Sequence, residues 1–358
     1  MLIQLRQFLP VAEKILDRRS DLPVLSSICV HDGFLRMTDL EITAKLPIAD
    51  DRSYTIPLEM MKKIFKVNPQ HLQIELQKGP ILKIQFDGKT VKFPVIDPRE
   101  YPEEPSDTFQ EIGIWPSEIF KQIHGQLSYA STDPLRPAMN GIFVEQNAKI
   151  SSCATNGHIL YFLRDLDPEK KSHLQKDISV VIPRKAVGIL SKFAHGMVRV
   201  FSGEKYLRFL LPDDLEITVR QIEDAFPDFR RVLDGKFPNE IKVNKKDFQK
   251  AVASAIGFAN PQNHQGVFIK TNGILNLQVE DPDLESSFST EFPILDKSGK
   301  DLKAGFNLVL LERMLKDMES EKIIWSFSEA DSASLFSDPV NPNGQVILVM
   351  PLRINEGG

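Results

Sequence analysis

Three sets of segments recur in the same order along this chain, and a repeat of domain size constrains its fold more than any other feature of the sequence. Each set opens on a segment with helical spacing of apolar residues: 4–19 (QLRQFLPVAEKILDRR), 117–129 (SEIFKQIHGQLSY) and 244–258 (NKKDFQKAVASAIGF). In the first, Leu5, Phe8, Leu9, Ala12 and Leu16 fall near a period of about 3.6 residues. Ser117 and Asn244 stand where N-caps of the other two belong. A strand, a turn and a second strand follow: SSICVHDGFLRM, NGIFVEQNAKISSCA and QGVFIKTNGILNLQV. Ile28, Ile142 and Val267 hold corresponding places among β-branched and aromatic residues. The turns carry Asp32-Gly33, Asn147-Ala148 and Asn272-Gly273; the first and last are hairpin dipeptides.

The third recurring feature is a strand that runs into another helix: YTIPLEMMKKIFK, VVIPRKAVGILSKF and AGFNLVLLERMLKDM. Pro57 and Pro183 sit at the helix start, where proline is tolerated, and Asn307 can cap the third. The offsets are 126 and 124 residues, so the repeat keeps its register. Boundaries fall near residue 112, after PREYPEEPSDTFQE, and near 237, around LDGKFPNE. Both stretches are rich in proline and charge, as linkers are. The expected division is 1–112, 113–236 and 237–358, and the fold class is α+β, each domain pairing two helices with antiparallel sheets.

With 358 residues, the chain is long enough for three such domains with substantial cores. No apolar run approaches the roughly 18 residues of a membrane span. The first residues read as an amphipathic helix rather than a signal peptide. Cys29 and Cys153 are too few for a disulfide framework or a cysteine zinc site, so a reducing cytoplasm is expected. His158 can be imagined as a base with Thr155 or Cys153 as nucleophile. No GxSxG, P-loop, HExxH or CxxC accompanies them, and a non-enzymatic protein without cofactor or metal is expected.

Geometry narrows the use of three equal domains. A domain of about 120 residues has a radius of gyration near 14 Å, hence a diameter of roughly 35 Å. Three such spheres in a closed circle leave a hole of about 5 Å; six leave one roughly 35 Å wide. B-DNA, with grooves of about 12 and 6 Å, is on the order of 20 Å across. Two chains, but not one, would pass it. Charge is distributed to suit: the six candidate helices together carry +8, so −13 falls on the rest of a chain of net charge −5. Helices lining a hole would present Arg18, Arg19, Lys62, Lys63, Lys66, Arg184, Lys185, Lys192, Lys245, Lys246 and Lys250 to phosphates. Such contacts are non-specific, which suits sliding on duplex DNA.

LPVLSSI (22–28), TDLE (38–41), RPAMNGIFVE (136–145), ATNGHIL (154–160), VIPRKAV (181–187), FPDFRRVL (226–233), GFN (305–307) and VMPLRI (349–354) occur in this order. Together they resemble the bacterial DNA polymerase III beta subunit family, the beta sliding clamps or processivity factors, over the whole chain. The resemblance implies three DNA-clamp domains per chain, closing as a six-domain ring in a head-to-tail homodimer, with helices inside and sheets outside. Domain three of one chain would meet domain one of the other by pairing edge strands. It also implies a pocket for short motifs of the polymerase III catalytic subunit, the clamp loader and other clamp-binding proteins. Carried onto matching positions, that pocket comprises Met139, Thr155, Gly157, His158, Leu160, Pro227, Arg231, Val232, Leu348, Met350, Pro351 and Leu352. An apolar groove with a few polar anchors suits such peptides, and Met350 can adapt to several.

Two positions depart from the family's TDGHR motif: its aspartate and arginine are Asn156 and Ile159 here. Loss of that arginine is expected to remove a donor from the pocket rim. The alternative function is a divergent paralogue that binds partners as a decoy or resistance protein and is not loaded on DNA.

Overall fold

The computed structural model describes residues 1–16, 22–296, 301–340 and 344–354. In the first repeat, helix α1 (Leu2–Ile15) precedes strands β1 (Ser27–His31), β2 (Phe34–Thr38), β3 (Ile42–Pro47) and β4 (Tyr54–Pro57). Helix α2 (Leu58–Phe65) leads into β5 (Leu72–Leu76), β6 (Ile81–Phe86) and β7 (Lys89–Pro94). The second repeat begins with β8 (Gln110–Pro116), α3 (Glu118–Gly125), β9 (Gly141–Gln146), β10 (Ile150–Thr155) and β11 (Ile159–Leu163). It continues through β12 (His173–Leu174), β13 (Ile178–Pro183), α4 (Arg184–Phe193), β14 (Met197–Ser202), β15 (Tyr206–Leu210), β16 (Glu216–Arg220) and the short α5 (Arg230–Leu233). The third comprises β17 (Asn239–Asn244), α6 (Lys245–Ile256), β18 (Gln265–Thr271), β19 (Ile274–Asp281), β20 (Ser286–Pro293) and β21 (Leu302–Asn307). Helix α7 (Leu308–Asp317), β22 (Lys322–Phe327), β23 (Ser334–Ser337) and β24 (Gln345–Val349) complete it.

Each expected helix is present, with trimmed ends. Asn244 and Asn307 cap α6 and α7, their side-chain oxygens accepting from backbone N–H groups of the first turn. Pro57 and Pro183 occupy the cap positions of α2 and α4. Helix α1 stops at Ile15, and Leu16 is already extended. Arg18 and Arg19, expected on that helix, lie outside the described residues. The Asp32-Gly33 and Asn272-Gly273 turns have positive φ at both residues, as tight hairpins require. The third turn departs from the expectation. It spreads over residues 147–149, none with positive φ, because Ala148 offers no left-handed preference.

Contacts divide the chain into two compact units. One comprises residues 1–125, 145–148 and 167–223; the other comprises 126–144, 149–166 and 224–358. In the first, nine strands form one sheet in the order β12-β8-β14-β15-β16-β3-β2-β1-β4, and β5-β6-β7 form another. Helices α1 and α2 pack together, as do α3 and α4. Leu5, Phe8, Val11, Ala12 and Ile15 form the buried face of α1; Ile119, Phe120 and Ile123 form that of α3. Burying each large apolar side chain contributes roughly 1.5–3 kcal/mol, enough to hold α1 helical despite Pro10.

In the second unit strands run β9-β10-β11-β24-β23-β22-β17, and β20-β19-β18-β21 form a separate four-stranded sheet. Helices α6 and α7 pack together against these strands. Trp325 sits in an aromatic core with Phe248, Phe268, Phe306 and Phe336. Both units contain a sheet that crosses from one repeat to the next. In the first, β3 pairs with β16, bringing Ile42 opposite Val219. In the second, β11 pairs with β24, bringing Ile159 opposite Val349.

Candidate peptide groove and basic helix faces

The groove begins at the turn between β10 and β11. The Thr155 hydroxyl donates to the Ile159 carbonyl (2.8 Å) and accepts from Gly157 N–H (3.0 Å). The Asn156 side-chain oxygen accepts from the N–H groups of His158 (2.9 Å) and Ile159 (3.0 Å). The same turn occurs in the first repeat, where Thr38 and Asp39 accept the corresponding bonds. Only an acceptor is needed there, so Asn156 does what an aspartate would. Gly157 has φ +90°, and a Cβ on it would lie 3.2 Å from Arg136 Nη1. The Arg136 side chain, from the loop that also carries Met139, thus lies against the turn.

From the turn the chain passes into three adjacent strands. Thr155 faces Leu160 across β10 and β11, and Leu160 faces Leu348 of β24. Met350 N–H donates to the His158 carbonyl (2.8 Å), closing the end of this sheet. Leu160 and Leu348 belong to an apolar cluster with Cys153, Phe162, Phe229, Leu233 and Val346, against which Phe143 and Phe226 pack. The rings of Phe143 and Phe226 stack at 5.0 Å. Pro227, Arg231 and Val232 flank this cluster through their neighbours Phe226, Phe229 and Leu233. Val232 and Met350 remain 39% and 38% exposed, which leaves an apolar surface open beside a buried floor. Pro351 is half-buried, and Leu352 continues away from the groove, its N–H donating to Gly305 of β21 (2.8 Å).

Ile159 corrects an expectation. It is wholly buried, on the opposite side of β11 from Leu160, because successive strand residues alternate faces. Ile159 itself therefore does not reach the rim, and the guanidinium that stands over the turn belongs to Arg136. The aromatic floor of Phe143, Phe226 and Phe229 was also missing from the expected set. Its signal lay in RPAMNGIFVE and FPDFRRVL, but an isolated aromatic reads equally well as ordinary core. Burial pushes the Cys153 thiol well up, opposed by the Arg230 charge, which disfavours the reactive thiolate.

The basic side chains divide into two groups. Lys62 lies 3.4 Å from Glu59 and 3.7 Å from Glu13. Lys185 Nζ donates to the Ile15 carbonyl (2.7 Å) and to the Asp39 carboxylate. Lys245 Nζ donates to the Met318 carbonyl at the end of α7. Lys185 and Lys245 thus stabilise helix C-termini, where a cation meets unsatisfied carbonyls, and are not free for phosphates as expected. Arg184 is half-buried. Lys63, Lys66, Lys192, Lys246 and Lys250 are exposed and form no ion pair among the described residues. Lys14 and Lys121, exposed on α1 and α3, add to them and were missed.

Residues 115–228 match the family model for the DNA polymerase III beta subunit, central domain. The beta sliding clamp of Pseudomonas aeruginosa is 24% identical over 356 residues, covering 95% of this chain and 95% of its own. The beta subunit of DNA polymerase of Streptococcus pyogenes superposes with a TM-score of 0.85 at 20% identity, covering 99% of this chain and 98% of that one. The DNA polymerase III beta subunit of Thermotoga maritima gives 0.82 at 20% identity, with 98% of each chain covered. Fold and sheet topology therefore define a clamp-type fold, built from repeats that share sheets across their junctions. Within that class, the chain carries the central domain of the bacterial DNA polymerase III beta subunit and is similar to beta sliding clamps over 95% of its length.

Proposed function

We propose that the chain is a beta sliding clamp: two copies close head to tail around duplex DNA, slide along it and tether the replicative polymerase and other motif-bearing partners. The observation that carries this reading is the order of strands. In the first repeat β4-β1-β2-β3 ends on β3, which pairs with β16 at the end of β8-β14-β15-β16. In the second, β9-β10-β11 ends on β11, which pairs with β24 at the end of β17-β22-β23-β24. The third repeat's corresponding strand, β20, and the first repeat's, β7, are both sheet edges among the described residues. One free edge of each kind per chain is what a head-to-tail pair consumes.

By the correspondence that sets Ile42 opposite Val219 and Ile159 opposite Val349, Phe288 would face Phe93 of the partner copy. Ser289 would then face Lys92, with Glu291 diagonal to it. One chain alone would leave a hole too small for DNA, so the pair is the functional unit, with domains at 1–112, 113–236 and 237–358. The exposed lysines on the helices supply sparse contacts to phosphate, and closure rather than affinity retains the ring. The groove around Leu160, Leu348 and Met350 takes the apolar side chains of partner motifs. The role is tethering, not catalysis, and its place is the cytoplasm.

Loader-dependent stimulation of the cognate polymerase on long primed templates tests the whole reading. Loading on nicked circular DNA, followed by linearisation, should release the protein. A protein that never becomes resistant to high salt on the intact circle would overturn it.

A further inference from the structure

The two sheets that cross repeat boundaries match in register but differ in chemistry. The turns at 38–42 and 155–159 carry the same hydrogen bonds, which fixes the residues that correspond on either side. In the second junction Cys153 pairs with Phe162, Leu160 with Leu348, and Phe162 with Val346. Phe229, from the segment between repeats, packs on this apolar face. In the first junction the corresponding pairs are Arg36 with Lys45, Thr43 with Thr218, and Lys45 with Glu216. Where one junction is apolar, the other is charged.

The segment between the first two repeats crosses the charged face as a strap. The Thr55 hydroxyl donates to the Ile96 carbonyl (2.8 Å) and accepts from its N–H (3.0 Å). The Tyr101 hydroxyl accepts from Thr38 N–H (3.1 Å) and donates to the Ser27 carbonyl (3.2 Å). Glu104 then lies 3.2 Å from Arg36 Nη1 and 2.9 Å from Lys45 Nζ, over the pair that corresponds to the one Phe229 covers in the second junction. Further on, in the second repeat, the Asp107 carboxylate accepts from the N–H groups of Glu204 (3.0 Å), Lys205 (2.9 Å) and Tyr206 (3.2 Å). Phe109 lies 3.8 Å from the Arg208 guanidinium.

The other charges about Glu104 engage one another. Arg99 pairs with Asp97 (2.6 Å), His31 with Asp32 (3.1 Å), and Arg208 with Glu216 (3.2 Å), while Glu103 is exposed. Without Glu104, Arg36 and Lys45 would stand directly opposite as like charges, an unfavourable pair. In the second junction the nearby cations, Arg164 and Arg230, are exposed and lie over the rings of Phe162 and Phe229. On the helix side the junctions are alike. Each sets a cation on a carbonyl, Lys185 on Ile15 and Arg313 on Ser128, and each has a hydrogen bond to a carboxylate, Gln7 to Asp213 and Tyr129 to Asp317. The contrast therefore lies in the sheets.

We infer that the first junction is an ionic joint, latched by Glu104, that loosens as salt rises, whereas apolar packing holds the second at any salt. Partly exposed ion pairs are screened by dissolved ions, and apolar burial is not. In a ring that opens to admit DNA, bending then collects at the first junction. That consequence, unlike the joint itself, rests on the clamp reading.

Hydrogen exchange on the full-length dimer, resolved by peptide mass, tests the joint. Raising sodium chloride from about 50 to about 500 mM should speed exchange at 42–46 and 216–220 about three- to fivefold, the scale of a screened charge pair. Exchange at 159–163 and 345–349 should not change. Glu104→Gln should give a gain of similar size already at low salt, again confined to the first junction. The salt series uses the unaltered protein, so it stands even if the variant folds poorly. Equal changes at both junctions, or no gain at the first from salt or from Glu104→Gln, would overturn the joint and spare the clamp reading. A joint that responds as expected in a protein that never loads on circular DNA would remove only the consequence for ring opening.

Discussion

Met350 donates its backbone N–H to the carbonyl oxygen of His158 at 2.8 Å, tying the end of the third repeat's last strand to the second repeat's turn. The groove is thereby shared between two repeats, and the C-terminal segment forms one of its walls. Val349, by contrast, is a paired residue inside β24. A truncation should therefore begin at Met350, leaving the sheet intact. Removal of residues 350–358 should weaken motif-peptide binding by at least about tenfold while the native mass stays at twice the 40.6 kDa chain. Unchanged affinity in a titration of the truncated protein would displace the groove from this surface.

Lys185 and Lys63 are both basic helix residues, yet their surroundings assign them different work. Lys185→Ala removes a donor from the Ile15 carbonyl and the partner of Asp39. It should cost about 1–2 kcal/mol and lower the midpoint of thermal unfolding by a few degrees. Lys63→Ala should leave that midpoint in place and reduce the salt dependence of DNA binding by about one counterion. If the two variants exchanged these effects, the division of the lysines into capping and DNA-facing groups would be wrong.

The seam register can be tested by charge. Glu291→Lys would place two lysines diagonally across the junction with Lys92 of the partner copy. Dimer dissociation, followed by sedimentation at decreasing concentration, should become about three- to fivefold more favourable. Adding Lys92→Glu should restore the original constant, since both side chains are exposed and neither supports a core. Additive, uncoupled effects would exclude this register.

Asp50 makes stability depend on acid. Its buried carboxylate accepts from Arg52 Nε (2.8 Å) and Nη2 (2.7 Å) and from the Tyr54 hydroxyl (2.8 Å). The Arg52 hydrogen bond, aided by Tyr54 and opposed by burial, holds its pKa below the usual aspartate value. A pKa depressed on folding stabilises the native state above the unfolded value near 3.9, and that contribution is lost as pH falls through the folded value. Urea unfolding should find Asp50→Asn less stable than the parent at pH 7, with the gap closing below about pH 4. A gap that stayed constant down to pH 3 would mean that the carboxylate's charge plays no part.

Much was legible in the sequence because it depends on local spacing. Helical periodicity, turn dipeptides and caps such as Asn244 and Asn307 act within a few residues, so they survive without knowledge of tertiary contacts. The groove was legible only through resemblance, since its members lie up to about 200 residues apart and each reads alone as core. Ile159 shows the limit: a motif position says which residue changed, whereas the strand's alternation decides which way the side chain faces.

The sequence by itself determined the three-fold repeat, the order of elements within it and the concentration of positive charge on the helices. Those properties are written in residue type and spacing. Only the tertiary structure decided that Lys185 and Lys245 cap helices while Lys63 and Lys250 face solvent. It alone decided that sheets run across repeat boundaries, leaving β7 and β20 as edges. The reason is that a hydrogen bond or ion pair depends on which distant groups come within about 3 Å, and spacing along the chain does not set that distance.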